Sequence, residues 1–198
     1  MFNMPLVGQP APQFDAQAVV NGTIVDVNWE WLHASGWLVL MFYPYDFTFV
    51  CPTEVTAFSD AIPRFQEMGA KLVGISVDSA YCHYAWLRTP RNKGGLGGSQ
   101  LALISDLNRQ ISRRYGVLLE DEGVALRGLF IVDPGGFIRH ATINDLGVGR
   151  NVEETLRILG ALQHVDEHGE FCPANWTPGS ETVVPDPEQA QAYFAKLQ

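Results

Sequence analysis

The sequence predicts an α/β sandwich built as one main domain. Apolar runs of strand length alternate with stretches of helical spacing, three of those runs are nearly continuous, and the composition is that of a soluble globular chain. The runs fall at 24–27, 37–43, 72–77, 101–104, 129–133 and 137–143. Those beginning at Trp37, Leu72 and Leu129 carry few polar residues, as expected of strands covered on both faces. Helical spacing recurs between them over about 52–68, 80–88, 108–115 and 151–165. Strands interleaved with helices give an α/β layer structure. Asp133-Pro134-Gly135-Gly136 reads as a hairpin turn joining the last two strands. Pro63 lies inside the first helical stretch, where its missing N–H and its ring should break or kink a helix. Beyond Gly169, Pro173, Pro178, Pro185 and Pro187 forbid long regular structure, and a short amphipathic stretch, 188–197, closes the chain. The expected division is a main domain over 1–165 and an extension over 166–198.

Of 198 residues, 13 are Lys or Arg and 22 are Asp or Glu, a formal net charge of −9, with 46% hydrophobic and 18% charged residues. Such a length suffices for a sizeable core. No basic run offers counterion release, so neither nucleic acid nor an anionic membrane surface is an expected partner. The longest apolar run, 37–43, is far too short to span a bilayer. Residues 1–12 hold no Lys or Arg and no signal-like apolar core, so nothing marks the chain for export and a cytoplasmic location is expected.

Cys51, Cys82 and Cys172 are too few and too scattered for a disulfide scaffold, and no CxxC occurs. Free thiols in a reducing compartment are expected. Cys51 follows the strand at 37–43 by a loop and precedes Pro52-Thr53-Glu54. Proline is favoured in the first turn of a helix, which places Cys51 at or just before a helix N-terminus. Unsatisfied N–H groups and the dipole there favour the nucleophilic thiolate. Thr48, three residues upstream, offers a hydroxyl to orient a substrate oxygen. A buried thiol acting as a small hydrophobe fits the same position, and placement alone leaves both readings open.

The string Phe42-Tyr43-Pro44-Tyr45-Asp46-Phe47-Thr48-Phe49-Val50-Cys51-Pro52-Thr53-Glu54 closely resembles the peroxidatic motif of the typical two-cysteine peroxiredoxins. This is the family of alkyl hydroperoxide reductase C and thioredoxin peroxidase, with the core pattern Pro-x-x-x-Thr/Ser-x-x-Cys. Ser76-Val77-Asp78-Ser79, Trp86, Thr89-Pro90-Arg91 and Gly94-Gly95-Leu96-Gly97 match the family's next segment. Leu126-Arg127-Gly128-Leu129-Phe130 matches the strand that carries its arginine, and His168-Gly169-Glu170-Phe171-Cys172-Pro173-Ala174 its resolving-cysteine motif. The match runs from about Leu6 to the end.

The resemblance implies a thioredoxin-like fold, a central mixed sheet flanked by helices, and a thiol-dependent peroxidase of antioxidant defence acting on hydrogen peroxide and organic hydroperoxides. It implies Cys51 as attacking thiolate and later sulfenic acid, Thr48 as hydrogen-bond partner of the peroxide, and Arg127 as the positive charge on sulfur and substrate. Pro44 would shield the sulfenate, and Glu54 with Arg150 would orient Arg127. Cys172 would form a disulfide with Cys51 of the other subunit of a homodimer, dimers assembling into a decameric ring. Forming it requires local unfolding of the helix at Cys51; Gly94-Gly95-Leu96-Gly97 and Tyr193-Phe194 look like the features that slow this in oxidation-sensitive members. No bound cofactor is implied, and the reductant is thioredoxin or a dedicated disulfide reductase. An alternative is a redox-regulated holdase chaperone or peroxide-signalling scaffold. Cys82 matches no catalytic motif and reads as a bystander thiol. His164, His168 and Cys172 have the i, i+4, i+8 spacing of ligands on one helix face, but Gly169 and Pro173 interrupt that helix, and no metal site is expected. Asn175 stands where the family usually has glycine, and asparagine tolerates the same left-handed backbone.

Overall fold

The computed structural model describes residues 7–34 and 36–197, so the first half of the opening segment read for an export signal, 1–6, lies outside the described residues. Two compact units divide the chain, Met1–Arg150 and Asn151–Gln198. This boundary falls earlier than the expected 165/166. The long helix α6 (Val152–His168) groups with the tail, because the tail folds back on it: Cys172 Sγ approaches the carbonyl of Ala161, and Trp176 packs against His164.

The first unit is built on a seven-stranded mixed sheet. Its strands are β1 (Ala16–Val20), β2 (Thr23–Val27), β3 (Trp37–Phe42), β4 (Ala70–Ser76), β5 (Ala102–Ser105), β8 (Arg127–Val132) and β9 (Ile138–Asn144), while β6 (Leu118–Leu119) and β7 (Val124–Ala125) form a small separate ladder. The order is β2-β1-β5-β4-β3-β8-β9. β3, β4 and β5 run parallel; β8 and β9 add antiparallel beside β3, and β1 and β2 add antiparallel beside β5. Every residue of β3 and β8 is buried, which explains their unbroken apolar runs. The turn at Asp133 closes as expected, with Gly136 N–H donating to Asp133 and Asp133 N–H to Phe137. Phe42, Tyr115 and Phe130 meet in the core with ring centroids 5.0–5.8 Å apart.

β3 connects to β4 through two helices, α2 (Cys51–Asp60) and α3 (Ile62–Glu67), and the break between them resolves the conflict at Pro63. The chain turns at Ala61, and Pro63 sits in the first turn of α3, where an N–H would have no helical partner. α4 (Ala80–Arg88) follows β4, capped by Ser79 Oγ accepting from Cys82 N–H. The segment after it is drawn tight: Trp86 Nε1 donates to Gly94 O at 2.8 Å, and Leu96 N–H to Trp86 O at 3.1 Å. A Cβ on Gly95 would lie 2.1 Å from the carbonyl oxygen of Thr89, a backbone atom that cannot step aside. Gly95→Ala is therefore expected to lower the thermal midpoint by several degrees in a calorimetric scan, on the scale of about 1–3 kcal/mol for a strained overpacked site; an unchanged midpoint would refute this close packing.

Two elements in this unit carry weak sequence signals. β1 reads Ala-Gln-Ala-Val-Val and has too few large apolar residues to stand out. α1 (Trp29–His33) is five residues long, started by Asn28 Oδ1 accepting from Trp31 N–H. α5 (Gln110–Arg114) is equally short but falls within the helical spacing read over 108–115. In the second unit α6 begins at Asn151, whose Oδ1 accepts from Glu154 N–H, and ends at Gly169 in a left-handed conformation. Phe171 and Val183 then pair across an isolated bridge, Asn175 takes φ 61°, and the short helix α7 (Ala190–Phe194) follows. Among the described residues no helix is long and apolar enough to cross a membrane.

Candidate active site

Cys51 is the first residue of α2, fully buried, with Pro52 in the opening turn and Val50 as an N-cap that offers no side-chain hydrogen bond. Thr53 and Glu54 N–H both donate to Val50 O, closing this first turn, and Cys51 stands at the positive end of the helix, the placement inferred from Pro52. Arg127 opens β8 and reaches across from the far side of β3: its Nη1 lies 3.4 Å from Cys51 Sγ and 2.6 Å from Glu54 Oε2. Its Nε donates to Leu146 O at 2.8 Å. Glu54 sits one turn along α2 from Cys51. Its carboxylate also accepts from Arg150 N at 2.7 Å, Arg150 Nε at 2.8 Å and Arg150 Nη2 at 3.0 Å, while Arg150 Nη1 donates to Gly128 O.

The side chains of Arg127, Glu54 and Arg150 are each only 2–3% exposed. Such a buried trio persists only because every member is paired and hydrogen-bonded. Burial alone would push the Glu54 carboxyl upward; the hydrogen bonds and charge of Arg150, with the charge of Arg127, outweigh it and hold that carboxyl below its ordinary value. Glu54 therefore stays ionised and fixes both guanidinium planes. Two arginines against one carboxylate leave an excess positive charge beside the sulfur.

Pro44 is buried in the loop leading to Cys51, and Thr48 is half-buried there. The Thr48 hydroxyl donates to Tyr45 O at 3.1 Å and makes no hydrogen bond to the sulfur. Cys51, Arg127, Glu54 and Arg150 thus form one bonded cluster, Pro44 and Thr48 lie on the loop that enters it, and Cys172 lies in the other unit. There Cys172 is half-buried, its Sγ 3.7 Å from Ala161 O, and burial pushes its thiol upward against the lowering influence of Arg157. Because Gly169 ends α6, Cys172 leaves the helix face, and the three donors His164, His168 and Cys172 do not line one face. The rings of His164 and His168 stack on each other, with centroids 4.2 Å apart.

The loop owes its shape to residues that short-range motif reading does not reveal. Asp46 Oδ2 is 2.7 Å from His83 Nδ1, both side chains fully buried. Tyr43 Oη donates to Asp46 Oδ1 at 2.9 Å, and Asp46 N–H donates to Asp78 Oδ2 at 2.7 Å. His83 Nε2 in turn contacts Ile104 O at 3.1 Å. These bonds pin the chain immediately before Phe47, whose φ of 55° is costly for an aromatic residue. No sequence pattern links positions 46 and 83. Cys82 lies with Asp46 and Asp78, donor atoms within 4.8 Å of one another. Its thiol is pushed up to about 12, first by burial and then by the two carboxylates, which favours the protonated form at neutral pH.

With this geometry the chain has close relatives. Residues 7–141 match the AhpC/TSA family, and residues 161–196 match the C-terminal domain of 1-Cys peroxiredoxin. The mitochondrial thioredoxin-dependent peroxide reductase of Homo sapiens is 55% identical over 193 residues, covering 98% of this chain and 76% of that protein. Peroxiredoxin-2 of Bos taurus is 52% identical over 190 residues, covering 96% of this chain and 95% of that protein. The crystal structure of reduced Plasmodium vivax 2-Cys peroxiredoxin superposes with a TM-score of 0.91 at 42% identity, covering 96% of this chain and 98% of that one.

Proposed function

The chain belongs to the AhpC/TSA family as a typical two-cysteine peroxiredoxin, and on that premise we propose that Cys51 is its peroxidatic nucleophile and Cys172 its resolving thiol. It is a thiol-dependent peroxidase of antioxidant function. Names of peroxide reductases among its relatives favour this activity over a holdase or signalling scaffold.

The observation that carries the residue assignment is the Arg127 guanidinium, which touches both Cys51 Sγ and Glu54. Reduction of a peroxide by a thiolate is an in-line displacement. Sulfur takes one oxygen, the O–O bond breaks, and the second oxygen leaves as water or alcohol once protonated. Negative charge moves from sulfur toward the leaving oxygen, and a planar fork fixed by Glu54 and Leu146 can follow it with two N–H groups. Arg150 and Glu54 hold that fork in place, so little reorganisation accompanies the reaction. Thr48 exchanges its bond to Tyr45 for one to the peroxide, and buried Pro44 keeps bulk water from the sulfenic acid. Cys172 then attacks the sulfenic sulfur of the partner's Cys51, forming the disulfide and releasing water.

Substrates in this reading are hydrogen peroxide and organic hydroperoxides. The name of the human relative supports thioredoxin as electron donor, and a dedicated disulfide reductase fits the same chemistry. The working form is a homodimer assembling into a decameric ring. The names of the relatives give no support to the expected cytoplasmic location, since the human one is mitochondrial and the Hordeum vulgare one chloroplastic.

Intact mass under denaturing, non-reducing conditions tests the assignment. Reduced chain given one equivalent of hydrogen peroxide is expected to form a covalent dimer, absent in Cys51→Ser and in Cys172→Ser. A monomeric sulfenic or sulfinic adduct in the parent chain would leave Cys51 as nucleophile and remove Cys172. Unmodified chain would overturn both roles. Deleting residues 193–198 is further expected to lower the sulfinic yield at excess peroxide by several-fold, because Tyr193 and Phe194 then no longer slow the release of Cys51; an equal yield would refute that role.

A further inference from the structure

β4 is buried at every position except one, Lys71, whose side chain enters a cavity of about 360 Å³. Val20, Ile62, Phe65 and Ala102 wall this cavity, Gln66 and Gln100 contribute amides, and no carboxylate lines it. Lys71 Nζ donates to Trp31 O and sits 4.0 Å from the centroid of the Trp31 ring. An ammonium group has three protons, of which the carbonyl and the ring face use two. Among the described residues no Asp or Glu forms an ion pair with Lys71, in a chain that otherwise carries 22 acidic residues. Withdrawing this amine from water disfavours its charged form and pulls it below the usual lysine range. A half-buried cation beside an apolar cavity, with its counter-ion missing, is an incomplete ion pair.

We propose that this cavity binds a medium-chain monocarboxylate, its head on Lys71 and its tail against Val20, Phe65 and Ala102. One ammonium neutralises a single negative charge, and no second cation lines the cavity for a phosphate dianion. The apolar walls require a tail, and a volume near the lower end of the roughly 300–1,000 Å³ of known ligand sites limits its length. The chain's net charge of −9 opposes anions at long range, but screening over about 8 Å at physiological ionic strength leaves the local contact to decide. Lys71 and Val20 take no part in the peroxidase site, so this inference and the assignment of Cys51 stand or fall separately.

Titration calorimetry of sodium octanoate into the reduced full chain is the test. One octanoate is expected to bind per chain, with 1-octanol and butyrate each binding about tenfold more weakly because one lacks the charge and the other the tail. Lys71→Met should weaken octanoate about tenfold, Lys71→Arg should stay within about threefold, and Val20→Phe should abolish binding by filling the cavity. Peroxidase turnover equal to that of the parent chain reports that each variant is folded. If Lys71→Met does not fold, Val20→Phe and the octanoate–octanol comparison on the parent chain still decide. Absence of saturable binding overturns the proposal. So does equal binding of octanol, or octanoate affinity that survives in Val20→Phe.

Discussion

Arg127→Gln is expected to slow the oxidation of reduced Cys51 by hydrogen peroxide by about two to three powers of ten, the usual loss when one preorganised donor to a developing charge is removed. Among the described residues, the variant deletes the only side chain that bridges Cys51 Sγ and Glu54. It leaves Glu54 its three bonds from Arg150, so the loss should appear in the rate and not in the fold. Arg127→Lys should fall in between, because an ammonium restores charge without the second N–H directed at the departing oxygen. Stopped-flow loss of thiol under excess peroxide measures all three. A change smaller than about threefold in Arg127→Gln would remove this guanidinium from the transition state.

Glu54→Gln should instead destabilise the chain by about 3–5 kcal/mol, since the carboxylate is the shared counter-ion of two arginines buried to within 3% exposure. Arg127 and Arg150 would face each other with an amide between them, and the thermal midpoint should fall by on the order of 10 °C. The parent chain should also carry an acid limb that this variant lacks. Because the native Glu54 carboxyl lies below its ordinary value of 4.5, its contribution to stability is complete above that value. It drains away as pH falls toward the lower native value and is absent below both. Urea midpoints between pH 3 and 7 should therefore converge for the two chains at the acid end and separate toward neutrality. Parallel curves would show that ionised Glu54 does not hold the trio together.

Much of this frame was legible because burial on both faces leaves an unambiguous mark. The runs at 37–43 and 129–133 became β3 and β8, fully buried strands. Pro52 announced the start of α2, although the meaning of Pro63 needed the turn at Ala61 to become clear. Arg127 was marked by the family motif it belongs to, just before the apolar run at 129–133. The pairing of Asp46 with His83 left no trace, since two residues 37 positions apart are joined only by the packing of α4 near the catalytic loop. β1 escaped notice for a different reason: Ala-Gln-Ala-Val-Val draws its place from the strands it pairs with, not from its own side chains. Lys71 drew no reading at all, because it falls just before the apolar run at 72–77 and a cavity is a property of several segments at once.

The break at Ala61 bears on how Cys51, the proposed nucleophile, would be let go. Ten residues is shorter than the roughly 12–15 at which an isolated helix holds its shape in water, so α2 exists on loan from its surroundings, chiefly Val55 and Phe58 and the charges at its first turn. Once a reaction at Cys51 alters those charges, the helix has little intrinsic resistance to unravelling. The unravelling also has a natural stop, because α3 is started independently by Pro63 and does not depend on the turns before it. On the proposed mechanism, a motion large enough to present one sulfur to another would thereby be confined to a segment that the sheet can spare, with β4 keeping its register.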